Sequence, residues 1–248
     1  MKKICLVVGA RPNFMKAAPI LKEIKKRGNL ECILLHTNQH HDANLSKVFF
    51  RDLDIAEPVV LENIAPEGLR QIADMSIALE KKFQEIKPDL VIVVGDVNST
   101  FVAAYVANRL KIPVAHVEAG LRSFDRSMPE ENNRILVDAL SDYHFVTEIA
   151  GKNNLLREGV DENKIYFVGN TMIDSLLAYK QAADTESKIL EELNLTPKKY
   201  AVLTMHRPAN VDNKEEFAKL SKAILEVKDF IKVVFPVHPR AKKNISNI

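Results

Sequence analysis

Short apolar runs alternate with stretches of helical period along most of this chain. Lys3 to Val8, Glu31 to His36, Leu90 to Val94, Pro113 to Val117, Tyr143 to Val146 and Ile165 to Val168 are each brief, apolar and bounded by turn residues. Continuous apolar runs of that length read as strands buried on both faces. Between them lie segments with apolar residues every three or four positions: Phe14 to Arg27, Pro66 to Ile86, Ser99 to Leu110, Glu130 to Leu140 and Glu148 to Glu158. Gly28-Asn29 closes the first of these helices and Lys87-Pro88-Asp89 the second, as expected of a left-handed cap and of a proline beyond a helix end. A polar loop from Asn38 to Asp42 leads into a further helix to about Arg51, and Pro58 to Leu61 is a short strand. Strand and helix in strict alternation predict an α/β fold with a doubly wound parallel sheet.

The character changes near Gly169. Thr171 to Ala183 reads as a connecting helix, Asp184 to Lys199 as a charged segment, and Tyr200 to Thr204 as a new strand. Lys214 to Val227 then gives a helix and Ile231 to Phe235 another strand. Two strands rarely stand alone in water. The expected organisation is a Rossmann-like domain over 1–169, then a linker helix and part of a second Rossmann-like domain over 170–248.

Composition changes this picture little. A net charge of +2 across 248 residues gives no global field for nucleic acid or membrane, so any anion site must be local. No apolar run spans a bilayer, and the short one after Met1-Lys2-Lys3 reads as a first strand rather than a signal peptide. Cys5 and Cys32 fall in strand-like runs, as buried reduced thiols do. These features together predict a cytoplasmic protein with neither nucleic-acid nor membrane partners.

Chemistry concentrates where apolar runs end. Gly95-Asp96 follows one run and Glu118-Ala119-Gly120 the next, so both carboxylates are expected in the crevice at the carboxyl ends of neighbouring strands. Asp96 also fits a helix cap for the segment from Ser99. Two carboxylates in one crevice are expected to push their pKa values apart, giving a donor and an acceptor. Glu130 and Glu131 are ordinary first-turn helix acids or a third acidic group at the same place. Gly9-Ala10-Arg11-Pro12-Asn13, with Lys16, reads equally as a generic βα turn and as an anion-binding one, and it lacks the dinucleotide fingerprint. His116 and His144 read as satisfied core histidines. His206-Arg207 and His238 with Arg240 follow successive strands of the second unit; either pair reads as surface decoration, but their equivalent positions suggest that both point into an interdomain cleft. His40-His41-Asp42 fits no standard zinc spacing, so no metal site is expected.

Six blocks in order carry a resemblance: the turn from Gly9 to Lys16, Val94-Gly95-Asp96, His116 to Arg122, Pro129 to Arg134, Gly169 to Asp174 and Met205-His206-Arg207-Pro208. Together they resemble the non-hydrolysing UDP-N-acetylglucosamine 2-epimerases along essentially the whole chain. The resemblance implies a glycosyltransferase-B-like architecture, interconversion of UDP-GlcNAc and UDP-ManNAc, a homodimer, and no metal or nicotinamide cofactor. It implies elimination of UDP to 2-acetamidoglucal followed by re-addition, because oxocarbenium character at C1 acidifies the C2 proton. Asp96, Glu118, Glu130 and His206 would form the catalytic set. Arg11, Lys16, Arg122, Arg207 and His238 would bind substrate, and Gln39 and His40 would belong to an allosteric site.

The chain departs from that family in places. It has Gly-Ala-Arg-Pro-Asn where many members have Gly-Thr-Arg-Pro-Glu, and Met75 stands where allosteric members carry arginine. The family's Ser-Gly-Gly…Glu-Glu and Glu-Arg-Pro-Glu segments are missing, so the chain reads as C-terminally truncated and as having little turnover by itself. The competing readings are a UDP-sugar glycosyltransferase of the same architecture, a non-catalytic UDP-sugar-binding fragment, and, as a minor one, a hydrolysing epimerase.

Overall fold

The computed structural model describes residues 1–39, 53, 55–205, 208–237 and 241–242, and the helix expected to end near Arg51 lies outside them. Contacts divide the chain into two units, Met1–Tyr179 and Lys180–Ile248.

The first unit is built on strands β1 (Lys2–Val8), β2 (Leu30–His36), β3 (Val59–Val60), β4 (Leu90–Val94), β5 (Val114–Val117), β6 (Tyr143–Val146) and β7 (Ile165–Phe167). They form one sheet in the order β3-β2-β1-β4-β5-β6-β7, and every pairing is parallel. Helices α1 (Arg11–Arg27), α2 (Gly68–Ile86), α3 (Asn98–Arg109), α4 (Pro129–Leu140) and α5 (Ile149–Arg157) connect them. Side chains alternate across the sheet. Cys5, Val7, Val91, Val93 and Val114 pack on Met75, Leu79 and Phe83 of α2, Val102, Ala103 and Val106 of α3 and Val137 of α4. Ile4, Leu6, Val8, Ile92, Val94, Ala115 and Val117 pack on Phe14, Ala17, Ala18 and Ile24 of α1. Both faces of the central strands are therefore covered, which is why they read as unbroken apolar runs.

The helix ends match their sequence signals. Gly28 takes φ 66° and returns its N–H to the Ile24 carbonyl. Lys87 closes α2 in the left-handed region, with its N–H on the Phe83 carbonyl. Cys5 is buried and Cys32 half-buried, and both are free. Burial pushes the Cys5 thiol up to about 12 and the Cys32 thiol to about 11.

Helix α6 (Thr171–Glu186) runs across the division between the units. The contact boundary falls inside this helix rather than at its start. Its first half is tied to the first unit by Ser175, whose Oγ donates to the Met15 carbonyl at 2.5 Å, and by Tyr179, whose hydroxyl donates to the Leu53 carbonyl at 2.8 Å. The second unit contains α7 (Ile189–Glu192), β8 (Tyr200–Val202), α8 (Pro208–Val211), α9 (Lys214–Val227) and β9 (Lys232–Val234), with β8 and β9 paired in parallel. The one-turn helices α7 and α8 are too short for a periodic sequence signal. Met205, Val211, Phe217 and Ala241 form this unit's own small core. No helix among the described residues is long and apolar enough to cross a membrane.

Candidate active site

The strand order reverses between β1 and β4, which both pair in the middle of the sheet while their following connections run to opposite sides. Crevices at such switch points, outside the carboxyl ends of the strands, are where ligands bind in open α/β sheets. The turn after β1, the turn after β4 and the tip of β5 meet there.

Asn13, in the first turn of α1, builds the floor. Its Oδ1 accepts from the backbone N–H of Gly9 at 3.1 Å and of Ala10 at 2.9 Å, and its Nδ2 donates to the Val94 carbonyl at 3.0 Å. One amide thus joins the β1 turn to the end of β4. Gly9 is required because a Cβ there would lie 1.8 Å from the Ser99 Oγ. One helical turn beyond Asn13, Lys16 forms an ion pair with Glu118 at the tip of β5. Arg11 opens α1 and makes no hydrogen bond or ion pair among the described residues.

Asp96 is not the cap of α3. The Ser99 N–H at that helix start is taken by the side chain of Gln39, whose Oε1 accepts it at 2.9 Å. Asp96 instead receives Arg134 of α4, Nε at 3.0 Å and Nη2 at 2.7 Å, both on Oδ2. Asn133, next to Arg134, donates to the Asp96 carbonyl at 2.9 Å. Each carboxylate has its own cation, Arg134 for one and Lys16 for the other.

The two acids of the α4 first turn part company. Glu131 is buried and accepts the N–H groups of Ser123 and Phe124, each at 2.9 Å, while Arg134 Nη1 donates to it at 2.5 Å. Burial alone would raise its carboxyl, but these donors outweigh it and hold it below the ordinary carboxylate range. Glu130 is exposed and has no partner among the described residues. It lies four residues before Arg134, hence on the same helix face one turn closer to the N-terminus.

Arg122, expected to bind substrate, is occupied elsewhere. Its side chain is 1% exposed and lies between Asp138, at 2.8 Å, and Glu158, at 2.5 Å. Two carboxylates hold it there, Asp138 of α4 and Glu158 just after α5. His116 and His144 are satisfied core histidines, as their position inside strands implied. His116 joins the Asp138 carboxylate at 2.6 Å to the Gly95 carbonyl at 2.9 Å, and His144 lies 2.9 Å from the Asp138 carbonyl.

Gln39, assigned to an allosteric site, is a structural cap: beside its bond to Ser99, its carbonyl accepts from Gln71 Nε2 at 3.1 Å. His40, His206, Arg207 and His238 lie outside the described residues. A separate cavity of about 550 Å³, lined by Leu21, Ile24, Cys32, Leu34, Ile55 and Tyr179 among others, shares none of the crevice residues named above.

Residues 22–248 match the family described as UDP-N-acetylglucosamine 2-epimerase. The chain belongs to the UDP-N-acetylglucosamine 2-epimerase family. The UDP-N-acetylglucosamine 2-epimerase of Methanocaldococcus jannaschii is 44% identical over 250 residues, covering 98% of this chain and 68% of that protein. A structure of the epimerase from that organism, in complex with UDP-GlcNAc and UDP, superposes with a TM-score of 0.90 at 42% identity, over 99% of this chain and 68% of that one. The UDP-2,3-diacetamido-2,3-dideoxy-D-glucuronate 2-epimerase of Pseudomonas aeruginosa is 37% identical over 99% of this chain and 69% of its own length. The family's members thus include more than one UDP-sugar 2-epimerase, and the chain spans about two thirds of the length of these epimerases.

Two members of the site were not assigned from sequence. Arg134 and Asn133 stand inside the Pro129 to Arg134 block, but a helix arginine four residues from a glutamate reads first as a surface pair. The signal that marks them is that the same helix carries Asp138 further along, so one face of α4 is charged where it meets the apolar strands.

Proposed function

We propose that this chain is a UDP-N-acetylglucosamine 2-epimerase that interconverts UDP-GlcNAc and UDP-ManNAc. The reading rests on one observation above others: two carboxylates from adjacent strand tips, each matched with a cation, at the switch point of the sheet. Removing the C2 proton of a sugar is difficult until the C1–O bond to UDP begins to break. A site for this reaction therefore needs acid/base carboxylates beside the ring and cations for the departing diphosphate. In this proposal Asp96, Glu118 and Glu130 serve the ring, and Arg11 and Lys16 serve the diphosphate. Lys16 could then exchange Glu118 for phosphate as substrate enters, which would free the carboxylate for proton transfer. The family membership supports the same reading.

The test is proton NMR of UDP-GlcNAc in heavy water. The C2 proton is expected to be replaced by deuterium without any acceptor sugar, and UDP-ManNAc to appear, at a low turnover in this chain by itself. Asp96→Asn and Glu118→Gln are each expected to slow the exchange by about a hundredfold or more, the usual range for loss of a general acid or base. Full activity in both folded variants would sink the assignment. Because a relative at 37% identity is named for a diacetamido-glucuronate sugar, that UDP-sugar belongs in the same assay.

We further read the protein as a cytoplasmic homodimer. Ile77 of α2, Tyr105 of α3 and Leu136 of α4 are exposed apolar side chains on three neighbouring helices. Sedimentation equilibrium at micromolar concentration should return twice the chain mass, and a monomer would refute the dimer.

A further inference from the structure

We infer that the buried His116–Asp138 pair is the positioning device of the candidate active site, locking together the two strand tips that carry Asp96 and Glu118. The functional half of this inference rests on the epimerase reading; the structural half does not.

The connection is direct. His116 lies in β5 with 0% exposure. Its Nε2 is 2.9 Å from the carbonyl of Gly95, the residue before Asp96. Its Nδ1 is 2.6 Å from Asp138 Oδ1. The other Asp138 oxygen accepts the N–H of Gly120, two residues after Glu118, at 3.0 Å, and Arg122 Nη1 at 2.8 Å. Both partners of the imidazole, the Asp138 carboxylate and the Gly95 carbonyl, are acceptors. One imidazole and one carboxylate thus span from the backbone beside the first acid to the backbone beside the second.

The backbone at both ends requires such restraint. Gly95 has φ 73°, Glu118 φ 70° and Gly120 φ 76°. Glycine adopts that region freely, but a glutamate there is strained and persists only where the surroundings over-determine it. Here they do. The N–H groups of Glu118 and Ala119 both reach the Phe145 carbonyl, each at 3.1 Å. The Gly120 carbonyl accepts Asn154 Nδ2 at 2.9 Å. Gly120 is pressed so closely on α5 that a Cβ would lie 2.3 Å from the Gly151 carbonyl oxygen. The His116–Asp138 pair is the part of this restraint that also reaches across to β4. Neither side chain is open to solvent, so neither touches substrate; both act through the residues they hold.

Burying this polar pair is costly compared with an apolar pair of the same volume. A strand reading Val-Ala-His-Val, buried on both faces, has no packing need for histidine at its third position. What the histidine adds is a fixed distance between two turns.

Two substitutions separate this role from plain stability. In His116→Asn the amide can still meet Asp138 but is too short to reach the Gly95 carbonyl. In His116→Gln the longer amide can still donate to Gly95. Amide hydrogen exchange and steady-state epimerase kinetics are measured on the parent chain and both variants. In His116→Asn, exchange at Gly95, Glu118 and Ala119 is expected to rise about tenfold or more while Lys2–Val8 stays protected. The kcat should fall at least tenfold with KM within about threefold, since misplacement by an ångström has costs of this order. His116→Gln, which keeps the Gly95 contact but gives up the one to Asp138, should recover part of the kcat. If His116→Asn does not fold, Asp138→Asn takes its place, with faster exchange expected at Glu118 and Ala119. A folded His116→Asn with parental local protection and kcat would overturn the inference, as would equal losses in β1 and at the strand tips. If the parent chain itself fails to exchange the C2 proton, the epimerase reading falls, and the amide-exchange comparison still decides whether the clamp exists.

Discussion

A glutamate with φ 70° ends β5, followed two residues later by a glycine with no room for a methyl group. The conformation that turns Glu118 toward Lys16 depends on this seat, so Gly120 is the position where a single carbon should matter most. Gly120→Ala adds a left-handed strain of about 1–2 kcal/mol and an overlap with Gly151 that costs about 1–3 kcal/mol more. Gly28→Ala is the matching control: φ is 66°, but nothing lies within 4 Å of the added carbon. Urea unfolding is expected to show Gly120→Ala destabilised by about 2 kcal/mol or more, and Gly28→Ala by only about 1 kcal/mol. Equal losses at the two glycines would mean that the close approach to α5 carries no cost. At the same scale, the pairing of Asp96 with Arg134 explains why an acid after a strand need not be a helix cap. Its neighbour Gln39 takes that task, and the carboxylate is left for the crevice.

Among the elements, α4 holds most of the site together. Glu130, Arg134 and Asp138 follow one another at four-residue intervals, so they form a single row on the helix. The row begins exposed at Glu130, pairs with Asp96 through Arg134 and ends buried at Asp138 against His116. Glu131 lies beside it and holds the preceding loop by two backbone N–H groups. Glu131→Gln keeps the shape but turns an amide donor toward one of those groups. An unsatisfied buried donor costs about 1–3 kcal/mol, so stability should fall by that order. Amide exchange at Ser123 and Phe124 should rise well above that of the α4 core. Unchanged exchange in that loop would show that Glu131 does not organise it.

For the whole molecule, the strand order makes the site. Because the strand order reverses between β1 and β4, the connections after these strands leave to opposite faces and open a crevice at their ends. The charges drawn into this region also set its response to acid. Burial would raise the Asp138 carboxyl, but His116 and Arg122 outweigh it, and Asp138 is held below its ordinary value, as Glu131 is. Groups depressed in this way stabilise the fold fully above the unfolded carboxylate range, near pH 4, and lose that contribution as pH falls through their folded values. Unfolding free energy should therefore fall steeply below about pH 4. In the Glu131→Gln, Asp138→Asn double variant the curve should be lower at neutral pH and flatter in acid. An acid slope identical to the parent's would show that other groups carry it.

The elements themselves were legible from the chain because their causes are local. An apolar run, a left-handed glycine after a helix and a proline beyond another are read within a few residues. The same holds for the two carboxylates at strand ends, and for the family resemblance that rests on contiguous blocks. The partners were not legible. Lys16 meets Glu118 across 102 positions and Arg134 meets Asp96 across 38, and both pairings follow from which strands lie side by side. Periodicity says that a strand is buried but not what its neighbour is. Only the folded sheet decided that Arg122 turns away from the crevice, that Glu131 rather than Glu130 is buried, and that a histidine inside a strand spans two turns.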